Sequence, residues 1–98
     1  MYYEFYFKIK NGKEHIICYY YDEEGHRKSR IIGNTKNLIE FIKHNCLEYC
    51  EVSFFDLNSD MIKYILNEII DIIEITYPPI GEEGPYQMFK RQVKVRGK

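Results

Sequence analysis

Among the residues of this 98-residue chain, the three cysteines and three histidines are the first to examine for chemistry. His44, Cys46 and Cys50 lie close together, with Cys18 or His15 available as a fourth donor, and thiolate plus imidazole is the ligand set of zinc. Structural zinc sites usually draw on close cysteine pairs held by turns. Here the spacing H-x-C-x3-C runs across a predicted helix end, and Cys46 falls on that helix's apolar stripe. Free cysteine commonly packs as a small hydrophobe, so the three are read as reduced core residues and no metal is expected. An odd and sparse set also argues against a disulfide framework.

Acid–base catalysis needs paired carboxylates or a histidine in a cleft. Asp22, Glu23 and Glu24 crowd one turn, where solvated charge is the ordinary explanation, and His26 stands beside Arg27 and Lys28. The chain has no phosphate-binding glycine motif, no H-E-x-x-H and no nucleophile elbow. No catalytic residue and no cofactor are therefore assigned, and the expectation is a non-enzymatic protein.

Cations make the next candidate site. Arg27, Lys28 and Arg30 line one predicted strand, and Lys90, Arg91, Lys94 and Arg96 line another, with tyrosines that could stack on unpaired bases. Against this stands the overall balance, a net charge of −1. Residues 1–85 hold nine basic and fifteen acidic side chains, whereas 86–98 hold five basic and none acidic. A general basic field is missing, and lysine-rich edge strands also serve to block unwanted strand pairing. Nucleic-acid binding is accordingly the alternative reading, and a basic C-terminal strand or arm over 86–98 is the feature that carries it.

The elements that must position these residues can be read from periodicity. Tyr3, Phe5, Phe7 and Ile9 alternate along one face, and the Asn11-Gly12 pair that follows is the strongest short-range hairpin signal, because a type I′ turn needs positive φ at both central positions. The register then sets Phe7 opposite Ile16, Phe5 opposite Cys18 and Tyr3 opposite Tyr20, with Tyr6–Ile17 and Tyr2–Tyr21 on the reverse. That reverse face, Tyr2, Tyr6, Ile17, Tyr19 and Tyr21, is too apolar to be left wholly to water. A turn through Gly25 returns the chain as a third strand to Ile32.

Asn34 or Thr35 can cap a helix whose stripe is Leu38, Phe41, Ile42 and Cys46. Cys50 to Leu57 reads as a strand. The run "DMIKYILNEIIDIIEITYPP" places Asp60, Lys63, Asn67, Asp71 and Glu74 on one narrow helical stripe, which predicts a second helix ending at Pro78-Pro79. Its remaining surface is apolar over more than a surface helix uses, so Ile69, Ile72 and Ile73 join the tyrosine face as candidate partner contacts. The last stretch alternates as a strand. The expected fold is one small α+β domain over 1–98, with a largely antiparallel sheet, the order β-β-β-α-β-α-β and two helices packed on one face.

A chain of this length buries only a little over ~60 % of its unfolded surface, which favours sharing a core with a partner. It lacks the ~20-residue apolar run of a membrane span and shows no leader pattern, so an intracellular (cytoplasmic, including host-cell) location is expected, with no membrane contact. The absence of alanine and abundance of isoleucine, lysine and tyrosine fit an AT-rich genome such as that of a virus or mobile element. The functional expectation is a homodimeric protein–protein interaction module, an accessory or inhibitor protein that also binds another protein.

Overall fold

The computed structural model describes residues 2–45, 50–57, 59–77 and 90–95. Three strands come first, β1 (Tyr2–Lys10), β2 (Lys13–Tyr21) and β3 (Arg27–Gly33), followed by helix α1 (Thr35–Asn45), β4 (Cys50–Phe55) and helix α2 (Ser59–Glu68). A single 3-10 turn (Ile70–Ile72) leads into β5 (Ile73–Tyr77), and β6 (Lys90–Val95) follows. The fold is α+β, as the periodicity predicts, with one more strand than expected.

The Asn-Gly hairpin forms as its chemistry requires. Asn11 and Gly12 both take positive φ (54° and 74°), and β1 pairs with β2 in the predicted register: Tyr3 with Tyr20, Phe5 with Cys18, Tyr6 with Ile17 and Phe7 with Ile16. Gly25 (φ 82°) makes the second turn, which the Asp22 carboxylate organises by accepting from the Glu24 and His26 backbone N–H groups at 3.0 and 2.8 Å. The Asn34 side chain caps α1 by accepting from the Asn37 N–H at 2.9 Å.

The six strands form one sheet in the order β3-β2-β1-β4-β6-β5. All neighbours are antiparallel except β1 and β4, which run parallel at the centre. Both helices cover the same side. There Phe5 stacks on Phe54 at 5.8 Å between ring centroids, and Phe41 of α1 meets Tyr3 and Phe5 edge-on at 5.3 and 5.7 Å. Leu38 and Ile42 of α1, Ile62, Ile65 and Leu66 of α2, and Val52, Val93 and Val95 of the sheet complete this core.

The second helix is shorter than the polar stripe predicts. Asp60, Lys63 and Asn67 do lie exposed along α2, but the helix stops at Glu68 and the chain is extended from Ile73. Isoleucine and threonine are stiff at χ1 and favour strands, and β6 offers an unpaired ladder that a helix could not use. Ile73 pairs with Val95 and Thr76 with Val93, and the register slips around Glu74.

Candidate functional site: an open aromatic face

Side chains alternate across a strand, so every residue that buries Phe5 or Cys18 under the helices sends its neighbour to the other side. The reverse side of the sheet carries Tyr2, Glu4, Tyr6 and Lys8 from β1, Ile17, Tyr19 and Tyr21 from β2, and Ser53 and Phe55 from β4. Among the described residues, no helix or strand packs over it.

The register builds this face in rows. Ile31 stands opposite Ile17, Ile17 opposite Tyr6, and Tyr6 opposite Phe55, which makes one apolar row across four strands. Tyr6 lies flat on Phe55, with centroids 4.5 Å apart and ring planes 5° apart, and meets Tyr19 edge-on at 5.4 Å. The Arg27 guanidinium sits 4.2 Å above the Tyr19 ring and 4.0 Å from the Glu4 carboxylate. In this way Tyr2, Tyr6, Ile17 and Tyr19 are half-buried by one another, while Tyr21 (49 %) and Ile31 (71 %) stay open to solvent.

Polar groups on the face are satisfied locally. The Tyr2 hydroxyl donates to Ser53 Oγ at 3.0 Å, and Ser53 is fully buried beneath it. Tyr6 donates weakly to Glu4 at 3.5 Å. Partial burial, with the Glu4 charge second, pushes the Tyr6 phenol above its ordinary value, so the hydroxyl remains a donor. A depression of about 380 Å³ lined by Tyr6, Lys8, Ile17, Tyr19, Arg27 and Asp56 lies beside the middle of the apolar row.

The remaining candidates are separated. Ile69 and Ile72 lie in the core beneath α2, and Ile73 packs partly against it, so this part of the expected contact surface is turned inward by the early end of the helix. Cys18 and Cys50 are buried free thiols, and burial pushes the Cys18 thiol up to about 12. His15 and Cys18 sit on opposite faces of β2, and Cys46 lies outside the described residues. The donors that do converge are Asp22, Glu24 and His26, within 4.8 Å of one another. They belong to the β2–β3 turn, and the Asp22 carboxylate is occupied there by two backbone N–H groups with His26 and Lys28 at 3.7 and 3.9 Å.

The two basic strands are also apart. Arg27, Lys28 and Arg30 lie on β3 at one sheet edge, and Lys90, Arg91 and Lys94 on β6, four ladder spacings or roughly 19 Å away. Lys94 is 4.0 Å from Glu51 on the neighbouring strand, and Arg96 lies outside the described residues.

Phe55 and Ile31 were absent from the sequence-derived contacts. Ile31 follows from alternation once β3 is paired, but Phe55 meets Tyr6 only through the parallel β1–β4 pairing, which joins residues far apart in the chain. Comparison with protein-family models, with curated proteins and with solved structures finds no match. No described helix is long and apolar enough to cross a membrane.

Proposed function

We propose that this protein is a non-enzymatic interaction module that pairs with a second copy of itself through the open sheet face. The observation that supports it is the apolar row Ile31–Ile17–Tyr6–Phe55, carried at the middle of a face that no described element covers. Its charges are arranged for self-pairing. Glu4 and Lys8 flank Tyr6 on the same strand, so a two-fold axis along the apolar row sets Lys8 of each copy over Glu4 of the other. An isologous contact of this kind is self-complementary by symmetry.

The available area is sufficient. Six strands at ~4.8 Å spacing and a strand length of about 25 Å give a face of roughly 700 Å² per copy, close to the ~800 Å² each partner contributes in a standard interface. Depletion of charge along the row, with aromatic residues at its centre and Glu4, Lys8, Arg27 and Glu51 around it, matches the anatomy of such interfaces. The small size and AT-biased composition fit an intracellular accessory or inhibitor protein of a virus or mobile element.

Sedimentation across a concentration series tests the proposal. Ile31→Glu, at a solvent-exposed position, should convert a dimer to a monomer while leaving the far-ultraviolet circular dichroism unchanged. A wild-type protein that stays monomeric at its highest soluble concentration would remove the reading. The alternative, nucleic-acid binding through the basic strands 27–30 and 90–98, calls for a salt-dependent affinity; no binding to single or double strands at low salt excludes it.

A further inference from the structure

Among the described residues the open face is one unpaired surface and the β3 edge is another, and its chemistry is different. β3 ends the sheet, and all five residues from Arg27 to Ile31 are exposed. The backbone bond from the Asp22 N–H to the His26 carbonyl (3.0 Å) identifies that pair as hydrogen-bonded. Antiparallel ladders alternate, so Lys28 and Arg30 bond toward β2, and the N–H and C=O groups of Arg27, Ser29 and Ile31 point away from the sheet. Three donors and three acceptors thus stand in strand geometry, facing outward.

The space beside this edge is shaped as a groove. Helix α1 overhangs β3, and a cleft of about 340 Å³ runs between them, lined by Arg30, Ile31 and Ile32 of the strand and by Asn37, Phe41, His44 and Asn45 of the helix, with Glu40 on its helical wall. Phe41 forms part of the wall, and the Arg30 guanidinium lies 5.4 Å over its ring. A strand added to β3 would send alternate side chains into this cleft, beside Lys28 and Arg30, and the others toward Arg27, Ser29 and Ile31.

We propose that the β3 edge binds an extended acidic peptide segment of a partner protein by strand addition, with main-chain bonds to Arg27, Ser29 and Ile31 and carboxylates set against Lys28 and Arg30. Strand addition into a groove between an edge strand and a helix is a recurrent recognition mode in which main-chain bonds supply affinity and alternate side chains supply specificity. The charge of the edge makes the choice. Arg27, Lys28 and Arg30 repel a β3 strand from another copy, the familiar protective role of edge cations, and the same repulsion reverses sign for an acidic strand. The cleft lies on the helical side of β3, and the edge adjoins the open face through Arg27, Ser29 and Ile31, whose side chains lie on that face.

Fluorescence anisotropy of a labelled octapeptide of alternating glutamate and valine tests this, alongside its lysine–valine counterpart and a version of the acidic peptide N-methylated at alternate residues. The acidic peptide should bind, and the lysine version and the N-methylated version should each bind at least tenfold more weakly. Ser29→Pro removes one outward N–H at an edge position where proline is tolerated, and should weaken the acidic peptide by a similar factor. Arg30→Glu should reverse the preference between the two peptides. The proposal is overturned if the acidic peptide fails to bind, if N-methylation has no effect, or if an oligothymidylate binds in its place with the same dependence on Arg30. It also falls if Ser29→Pro changes the mass of the dimer, which would assign the edge to a second copy.

Discussion

The two faces of this sheet are made by the same strands and end in opposite states. On β2, Ile16 and Cys18 are completely buried under α1, while Ile17 and Tyr19, one residue away, are half-exposed. On β4, Phe54 stacks on Phe5 inside the core and Phe55 stacks on Tyr6 outside it. Hydrophobicity alone does not separate the pairs. Two helices close one side, whereas on the other, among the described residues, aromatic rings lie on one another and remove part of their area from water. A face in that condition holds the sheet together and still offers apolar surface to a partner.

Substitution of the paired phenylalanines breaks this comparison most directly. Phe54→Ala should cost about 3–5 kcal/mol in urea unfolding, since it opens a cavity in a packed core. Phe55→Ala should cost about 1–2 kcal/mol, because its side chain is only half-buried. If the two losses prove equal, the outer face is as closed as the inner one and the interface reading loses its basis.

The covered face is also distinguished by its thiol. Burial raises Cys18 from 9.0 to about 12, so the folded protein retains that proton to higher pH than the unfolded chain does. The stability this contributes is complete below pH 9 and declines as pH rises from there toward 12. A Cys18→Ala variant should show a flatter loss over that window, and Cys18 should react with a thiol reagent only as fast as the protein unfolds. Rapid modification of Cys18 in the native state, mapped by mass spectrometry, would show that the helical layer opens.

Smaller effects separate the layers further. Asn34→Ala removes the cap of the helix that closes the inner face and should cost about 1 kcal/mol. Arg27→Ala, on the outer side, removes the contacts to Tyr19 and Glu4 and should cost about 0.5 kcal/mol, since both are partly solvated. Its larger consequence should be on self-association, where Arg27 borders the apolar row; an unchanged dimer affinity would place the contact elsewhere on the sheet.

Much of the architecture was legible because it rests on local rules. The Asn11-Gly12 turn, the β1–β2 register, the cap before α1 and the strand at Cys50–Phe55 all follow from dihedral preference and alternation over a few residues. The tyrosine face was legible for the same reason, since alternation around one hairpin puts Tyr2, Tyr6, Ile17 and Tyr19 together. The segment from Ile69 to Tyr77 was not, because its polar residues fit a helical stripe as well as they fit a 3-10 turn and a bulged strand.

By itself, the sequence determined the α+β class, the hairpin and which hairpin residues share a face, because side-chain alternation and turn geometry act over a few bonds. Only the tertiary structure decided that β4 lies parallel to β1 and so lays Phe55 on Tyr6, that Ile69 and Ile72 turn into the core, and that the basic strands β3 and β6 end up on different parts of the sheet. Those outcomes depend on which ladder a strand joins, and strand choice is settled by contacts between residues far apart in the chain, where helix packing and unpaired backbone groups outweigh local propensity.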